Sequence, residues 1–207
     1  MKRGLAWAAG LSVIGGLCWV FPPFHVLPLR QRGQEQAGFD ASAFAREFWQ
    51  TKLLPATGRA VPATELLAAL AHDPSAARQR YGHSPGMSAT THFFVKSSGL
   101  VAAIEQDTIR ITLDDPSEPT VELLIGLLFG NTVRDATGLL NVSDFPNSQD
   151  FNAISTELNR IVETQVVPAL HERAAVGKAI RFVGCCELEE GPAPKLLQVV
   201  PVKVEWP

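Results

Sequence analysis

The chain has 207 residues, 18 basic against 21 acidic, and a formal net charge of −3. Lys2 and Arg3 stand apart at the start; without them 16 basic residues face 21 acidic ones, a net of −5, which argues against a nucleic-acid partner because neutralising phosphates needs a basic surface. The length suffices for one domain with a proper core and an appended piece.

Lys2 and Arg3 precede an uncharged stretch from Gly4 to Leu29. Its core, residues 4-21, would span about 27 Å as a helix at ~1.5 Å per residue, near the roughly 30 Å hydrocarbon thickness of a bilayer. Cys18 invites a lipid-attachment reading, but the bulky Leu17 stands where a lipobox needs a small residue. The small-x-small match Ala6-Trp7-Ala8 lies too early for ordinary signal cleavage. The expectation is therefore a retained signal-anchor over residues 1-29, a single-pass transmembrane helix in a bacterial inner membrane. Lys2 and Arg3 would stay cytoplasmic and the C-terminal domain would face the periplasm.

Residues 30-38 form a polar tether with no apolar periodicity. A helical layer is expected over 39-87. Asp40 can cap its first helix, Phe39 and Phe44 occupy the positions of a hydrophobic staple, and Phe44, Phe48 and Trp49 give it an apolar side before Leu53-Leu54-Pro55 ends it. A second helix fits Pro62 to Ala71. A third is capped by Asp73, begins at Pro74 and ends at Gly82, expected in the left-handed conformation.

Over 88-207 the period changes. Thr91 to Ile104 reads as a long strand with a bulge or bend at Gly99, and Thr108 to Leu113 and Thr120 to Ile125 alternate cleanly, so three strands form a meander. The segment 126-146 is too apolar to be solvated, since Leu127, Leu128, Phe129, Val133, Leu139, Leu140 and Val142 need cover; it is expected to fold as a lid across one end of the sheet. A long helix follows from about Asn147, with only Gln165 breaking its apolar stripe. Two strands close the chain, one with Ile180, Phe182, Cys186 and Leu188 facing in. The other faces in with Val200, Val202, Val204 and Trp206 and out with Lys203 and Glu205. This order predicts an α+β fold: a five-stranded OB-like Greek-key barrel with a long helix between its third and fourth strands.

The adjacent Cys185 and Cys186 cannot pair readily, because consecutive Cα atoms lie ~3.8 Å apart and disulfides usually span more. Alternation makes Cys186 a core residue and Cys185 a surface thiol. His25, His72, His83, His92 and His171 show no ligand spacing, and no metal or cofactor motif is present.

Phe39-Asp40, then Phe48-Trp49-Gln50-Thr51-Lys52-Leu53-Leu54-Pro55, Phe94-Val95-Lys96, Asn131-Thr132-Val133-Arg134-Asp135, Asp144-Phe145-Pro146-Asn147 and Leu158-Asn159 together resemble the bacterial predicted periplasmic lipoproteins with domain of unknown function 2291. The resemblance covers nearly all of Phe39 to Trp206. It implies a setting beside sugar uptake systems of the ATP-binding-cassette type; the expected partner is a transporter subunit or a small polyol. Two departures stand out: the poor lipobox, and Ser148 where glutamine is expected after the asparagine.

Among these residues, Arg134 and Asp135 have the chemistry to bind a carboxylate or the hydroxyls of a polyol. The plainer reading, that they pair with each other and fasten the lid, is preferred. Asn147 offers an amide to a ligand but is better read as a helix cap, and Trp49 suits sugar stacking but sits among core aromatics. Lys96 is either solvated or paired. No GxSxG, phosphate loop or catalytic constellation is present, so no catalytic residue is assigned. The reading is a membrane-tethered periplasmic binding or accessory module; the alternative is a periplasmic enzyme built around Arg134 and Asp135.

Overall fold

The structure is a computed structural model and describes residues 39-86, 88-113 and 120-207. The expected anchor and tether lie outside the described residues, and among those described no helix is long and apolar enough to cross a membrane. Asp40 to Pro207 forms one unit, in which helices and barrel share a core.

Asp40 Oδ1 accepts the Ala43 amide at 2.9 Å and caps α1, Ala41–Phe48. The helix then widens into a π turn, Trp49–Leu53, and tightens into a 3-10 turn, Pro55–Arg59. The two-residue β1, Val61–Pro62, leads into α2, Ala63–His72, which buries Leu66, Leu67 and Leu70. Asp73 accepts the Ser75 and Ala76 amides and caps α3, Pro74–Tyr81. Gly82 is not left-handed as expected. It is extended, with φ −97°, and begins β2, Gly82–His83, where any side chain would collide with the Thr91 methyl.

The barrel follows from alternation. β3, Thr90–Ile104, pairs antiparallel with β4, Thr108–Leu113, which pairs antiparallel with β5, Thr120–Leu124. β5 pairs in parallel with β7, Leu196–Glu205; β7 pairs with β6, Ala179–Glu189; and β6 returns to β3 along eleven positions, Thr90 to Leu100, closing the ring. The expected irregularity of the long strand is real but displaced: the register shifts between Val101 and Ala103. Gly99 instead allows close approach, because a Cβ there would run into the Thr112 carbonyl oxygen.

Ile109, Ile111, Val121, Leu123, Ile180, Phe182 and Leu197 fill the interior. β7 departs from expectation. A bulge opposite Val183 and Gly184 reverses its alternation, so Val204 pairs with the inward Phe182 while Val200 pairs with Cys185 on the outer face. Leu197 and Val199, aligned with the inward Val121 and Leu123, take the interior instead.

Between β5 and β6 come the short α4, Thr132–Asp135, then α5, Ser148–Ile161, a π turn over Val162–Val166 and α6, Val167–Arg173. The π turn explains Gln165. It adds one residue to the turn, so the stripe that reaches Ile161 and Val162 resumes at Val166 and Val167, and Gln165 points to solvent.

Both π turns are written by one heptapeptide pattern, Trp49-Gln50-Thr51-Lys52-Leu53-Leu54-Pro55 and Val162-Glu163-Thr164-Gln165-Val166-Val167-Pro168. A proline cannot donate to the carbonyl four residues back and crowds it, so the preceding turn widens to bonds spanning five residues. The Leu54 amide accordingly reaches the Trp49 carbonyl, and the Val167 amide reaches that of Val162. In each case the threonine hydroxyl closes on the carbonyl four before it, Thr51 on Glu47 at 2.8 Å and Thr164 on Arg160 at 2.7 Å.

Candidate functional site

The segment 126-146 does not cross one end of the sheet; its helix α4 packs on the outer face of β6 and β7 and against α5. That cover corrects the reading of Cys185. It points outward, as alternation demands, but like Cys186 it is buried, and burial raises both thiol pKa values above the usual range.

All four residues of α4 are buried. Arg134 Nε lies 2.7 Å from Asp135 Oδ1 and Nη2 lies 2.9 Å from Oδ2, a two-pronged ion pair. Nη1 donates to the Phe151 carbonyl at 3.2 Å and to Asn152 Oδ1 at 3.1 Å, and the guanidinium carbon lies 3.7 Å from the Phe151 ring centroid. Asp135 Oδ2 is 3.9 Å from His92 Nε2, and His92 Nδ1 is 3.6 Å from Glu187 Oε2, which accepts the Thr132 hydroxyl at 2.6 Å. The His92 Nδ1 atom has no hydrogen-bond partner. The cluster therefore has the geometry of a fastening, with β3, β6, α4 and α5 drawn to one point.

The other candidates fall elsewhere. Asn147 caps α5: its Oδ1 accepts the Asp150 amide at 2.8 Å while its Nδ2 donates to Asp150 Oδ2 at 2.8 Å. Trp49 is 3% exposed and belongs to the core.

Lys96 does stand at an opening. A groove of about 570 Å³ runs over the outer side of β3, β6 and β7 toward the 3-10 turn, with Lys96, Arg181, Lys203 and Glu205 among its walls. Strand register assembles it: Lys96 is opposite Val183, which is opposite Lys203, and in the adjoining row Ser98 is opposite Arg181, which is opposite Glu205. Lys96 Nζ donates to the Gly58 carbonyl at 3.2 Å, and Lys203 pairs with Glu205 at 2.8 Å, holding the Glu205 carboxyl below its usual pKa. Three cations face one carboxylate, a positive island on an acidic chain. Hydroxyls of Thr57, Thr64 and Ser97 edge the groove, and Pro62, Leu113 and Phe182 supply apolar wall. This mixture suits a small hydroxylated solute, with an acidic group favoured.

Sequence reasoning singled out Lys96 but did not bring Arg181, Lys203 and Glu205 beside it. Their alternation with buried neighbours was visible, but only the pairing of strands far apart in sequence brings them together. Among the described residues, no three His, Cys, Asp or Glu side chains are placed to hold a metal ion.

No curated protein matches the chain. Among solved structures, the crystal structure of an OB-fold protein from Thermotoga maritima is similar at 28% identity and a TM-score of 0.72, over 82% of this chain and 99% of that one. The motifs that run from Phe39 to Asn159 through helices, lid and barrel lie within a longer match, over residues 14–205, to the family described as predicted periplasmic lipoprotein, domain of unknown function 2291, and the chain belongs to that family.

Proposed function

We propose that this protein is a membrane-tethered periplasmic binding or accessory module that holds a small polyol, acidic ones best, in the groove beside Lys96. The groove carries the reading: it is open, it mixes hydroxyls with apolar wall, and its cations are gathered by three strands of a rigid barrel. Family membership supports the periplasmic, membrane-associated address. The retained N-terminal anchor, the sugar uptake system and a transporter subunit as partner are further parts of this proposal. An enzyme centred on Arg134 and Asp135 is less well supported, because those two side chains engage each other and the surrounding backbone.

The test is a thermal-stability screen of the purified full-length protein against sugars, sugar acids and sugar phosphates. A saturable rise in Tm that is lost in Lys96→Ala and Arg181→Ala but kept in Gln79→Ala supports the groove. No saturable shift with any compound refutes the binding reading, and turnover of a compound by the wild-type protein that disappears in Asp135→Asn, with that variant still folded by circular dichroism, favours the enzyme. Mass spectrometry of membrane-extracted protein should recover the peptide from Lys2 to Leu29 intact; a diacylated Cys18 at a new N-terminus refutes the anchor.

A further inference from the structure

Leu127 and Phe129 are 79% and 81% exposed, and the intervening Leu128 is 8% exposed. Such alternation in a loop is held by its backbone. The Leu128 amide donates to Glu163 Oε1 at 2.8 Å, and the Gly130 carbonyl accepts from Asn159 Nδ2 at 3.1 Å. Two polar side chains from the C-terminal part of α5 and its π turn thus clamp the loop so that Leu128 packs inward and its two apolar neighbours project. Exposing such side chains costs solvation free energy that a solvated loop would avoid with polar residues, so the pair marks a contact surface.

What covers it follows from where the chain enters the domain. Ser42, in the first turn of α1, accepts from Arg160 Nη2 at 3.1 Å, and Arg160 lies one helical turn from Glu163, which holds Leu128. The projecting loop and the start of α1 therefore share one side of the domain. Upstream of α1 stand the polar residues 30-38 and the uncharged stretch Gly4 to Leu29. Nine residues reach at most about 32 Å at ~3.5 Å per residue, so this side of the domain cannot lie farther than that from whatever surface holds the stretch. That confinement lets a weak apolar contact persist, because the loop meets the surface at high effective concentration.

We propose that Leu127 and Phe129 insert into the interfacial region of the lipid bilayer, a second contact that orients the domain on its membrane. The inference rests on the membrane tether of the preceding reading and is independent of the groove. The opposite end of β3 supplies a control. Gly126 bonds to Asp107 in the turn after β3, whereas Arg78 of α3 bonds to the Glu189 carbonyl, opposite Thr90 at the start of β3, and Gln79 beside it is exposed.

The experiment uses the full-length chain with Cys18→Ser, reconstituted into vesicles of phosphatidylethanolamine and phosphatidylglycerol. A nitroxide is placed at Leu127→Cys, Phe129→Cys or Gln79→Cys, with Cys185 and Cys186 buried and so shielded from the label. The expected result is that labels at 127 and 129 relax with dissolved oxygen and are shielded several-fold from a water-soluble nickel chelate, while the label at 79 shows the reverse. If the labels at 127 and 129 meet nickel as freely as the one at 79 while protein floats with the vesicles, the insertion is refuted and the tether stands. Protein that does not float refutes both. Shielding from oxygen and nickel alike, with a dimer by light scattering, would show that a second copy covers the loop, and also refutes lipid insertion.

Discussion

Arg134 and Asp135 are consecutive in the chain and grip each other through two parallel hydrogen bonds, at 2.7 and 2.9 Å, with both side chains buried. Consecutive residues on a helix do not ordinarily face each other, and here the Phe151 ring and carbonyl complete the enclosure that holds the pair. The pair joins the lid to α5.

Removing one partner strands a buried charge. Arg134→Ala and Asp135→Ala are each expected to cost about 3–5 kcal/mol, whereas Arg134→Met with Asp135→Leu should cost markedly less than their sum. Urea unfolding of the three variants measures this. Additive losses would show that the ion pair does not act as a unit. Ligand tests should therefore use groove variants, since loss of Arg134 would be read as loss of fold.

His92 gives stability a pH dependence. Burial lowers its pKa below 6.5, against the upward pull of Asp135 and Glu187, while His83 and Arg134 push the same way as burial. Below pH 6.5 the unfolded chain takes up a proton that the folded chain resists, so this contribution is lost as pH falls from 6.5 through the folded value and is constant above it. Denaturation midpoints between pH 5 and 8 (roughly spanning the usual titration of histidine) should fall on the acid side, and His92→Asn should flatten the slope.

The π turn after α5 should be removable. Deleting Gln165 together with Pro168→Ala leaves a continuous α-helix with Val166, Val167 and Leu170 on the same face, and the expected loss is within about 1 kcal/mol. Deleting the exposed Thr156 from the regular part of α5 should unfold the domain, because every later residue rotates off its face. Circular dichroism and urea midpoints distinguish the two.

Native protein should withhold Cys185 and Cys186 from a thiol reagent such as a disulfide dye at pH 8, a value (roughly half a unit below the usual cysteine pKa) at which an exposed thiol reacts. Both should become reactive only in denaturant. Prompt reaction of Cys185 under native conditions would show that α4 leaves the face of β6 readily.

Much of the fold was legible because it is written locally. Asp40, Asp73 and Asn147 announce helix starts through chemistry that acts within three residues, and the alternation of Ile109, Ile111 and Leu113 states which face is buried. The lid was legible as apolar, but Leu127, Phe129 and Val142 stay exposed, since hydrophobicity alone does not say which side chains find cover. The π turns were also written locally, in the repeated threonine-to-proline pattern, though a 3.6-residue period conceals them. What local pattern could not carry was register. Cys185 was misplaced because its cover comes from α4, some fifty residues earlier, and Val200 because one bulge reverses a strand. The groove was invisible for the same reason: Lys96, Arg181 and Lys203 become neighbours only after three strands have paired.

β5 and β6 do not pair with each other; β7 alone joins them. The ring is thus completed by residues 196–205, and until they arrive β5 and β6 each present a bare edge. Because the chain is synthesised from its N-terminus, this order has a consequence. No barrel can form until those residues have been made, so the earlier strands wait with their edges open. The same arrangement makes the interval before closure the time of greatest exposure to proteases and to aggregation, and places a late mutation in β7 among the most damaging that the chain could carry.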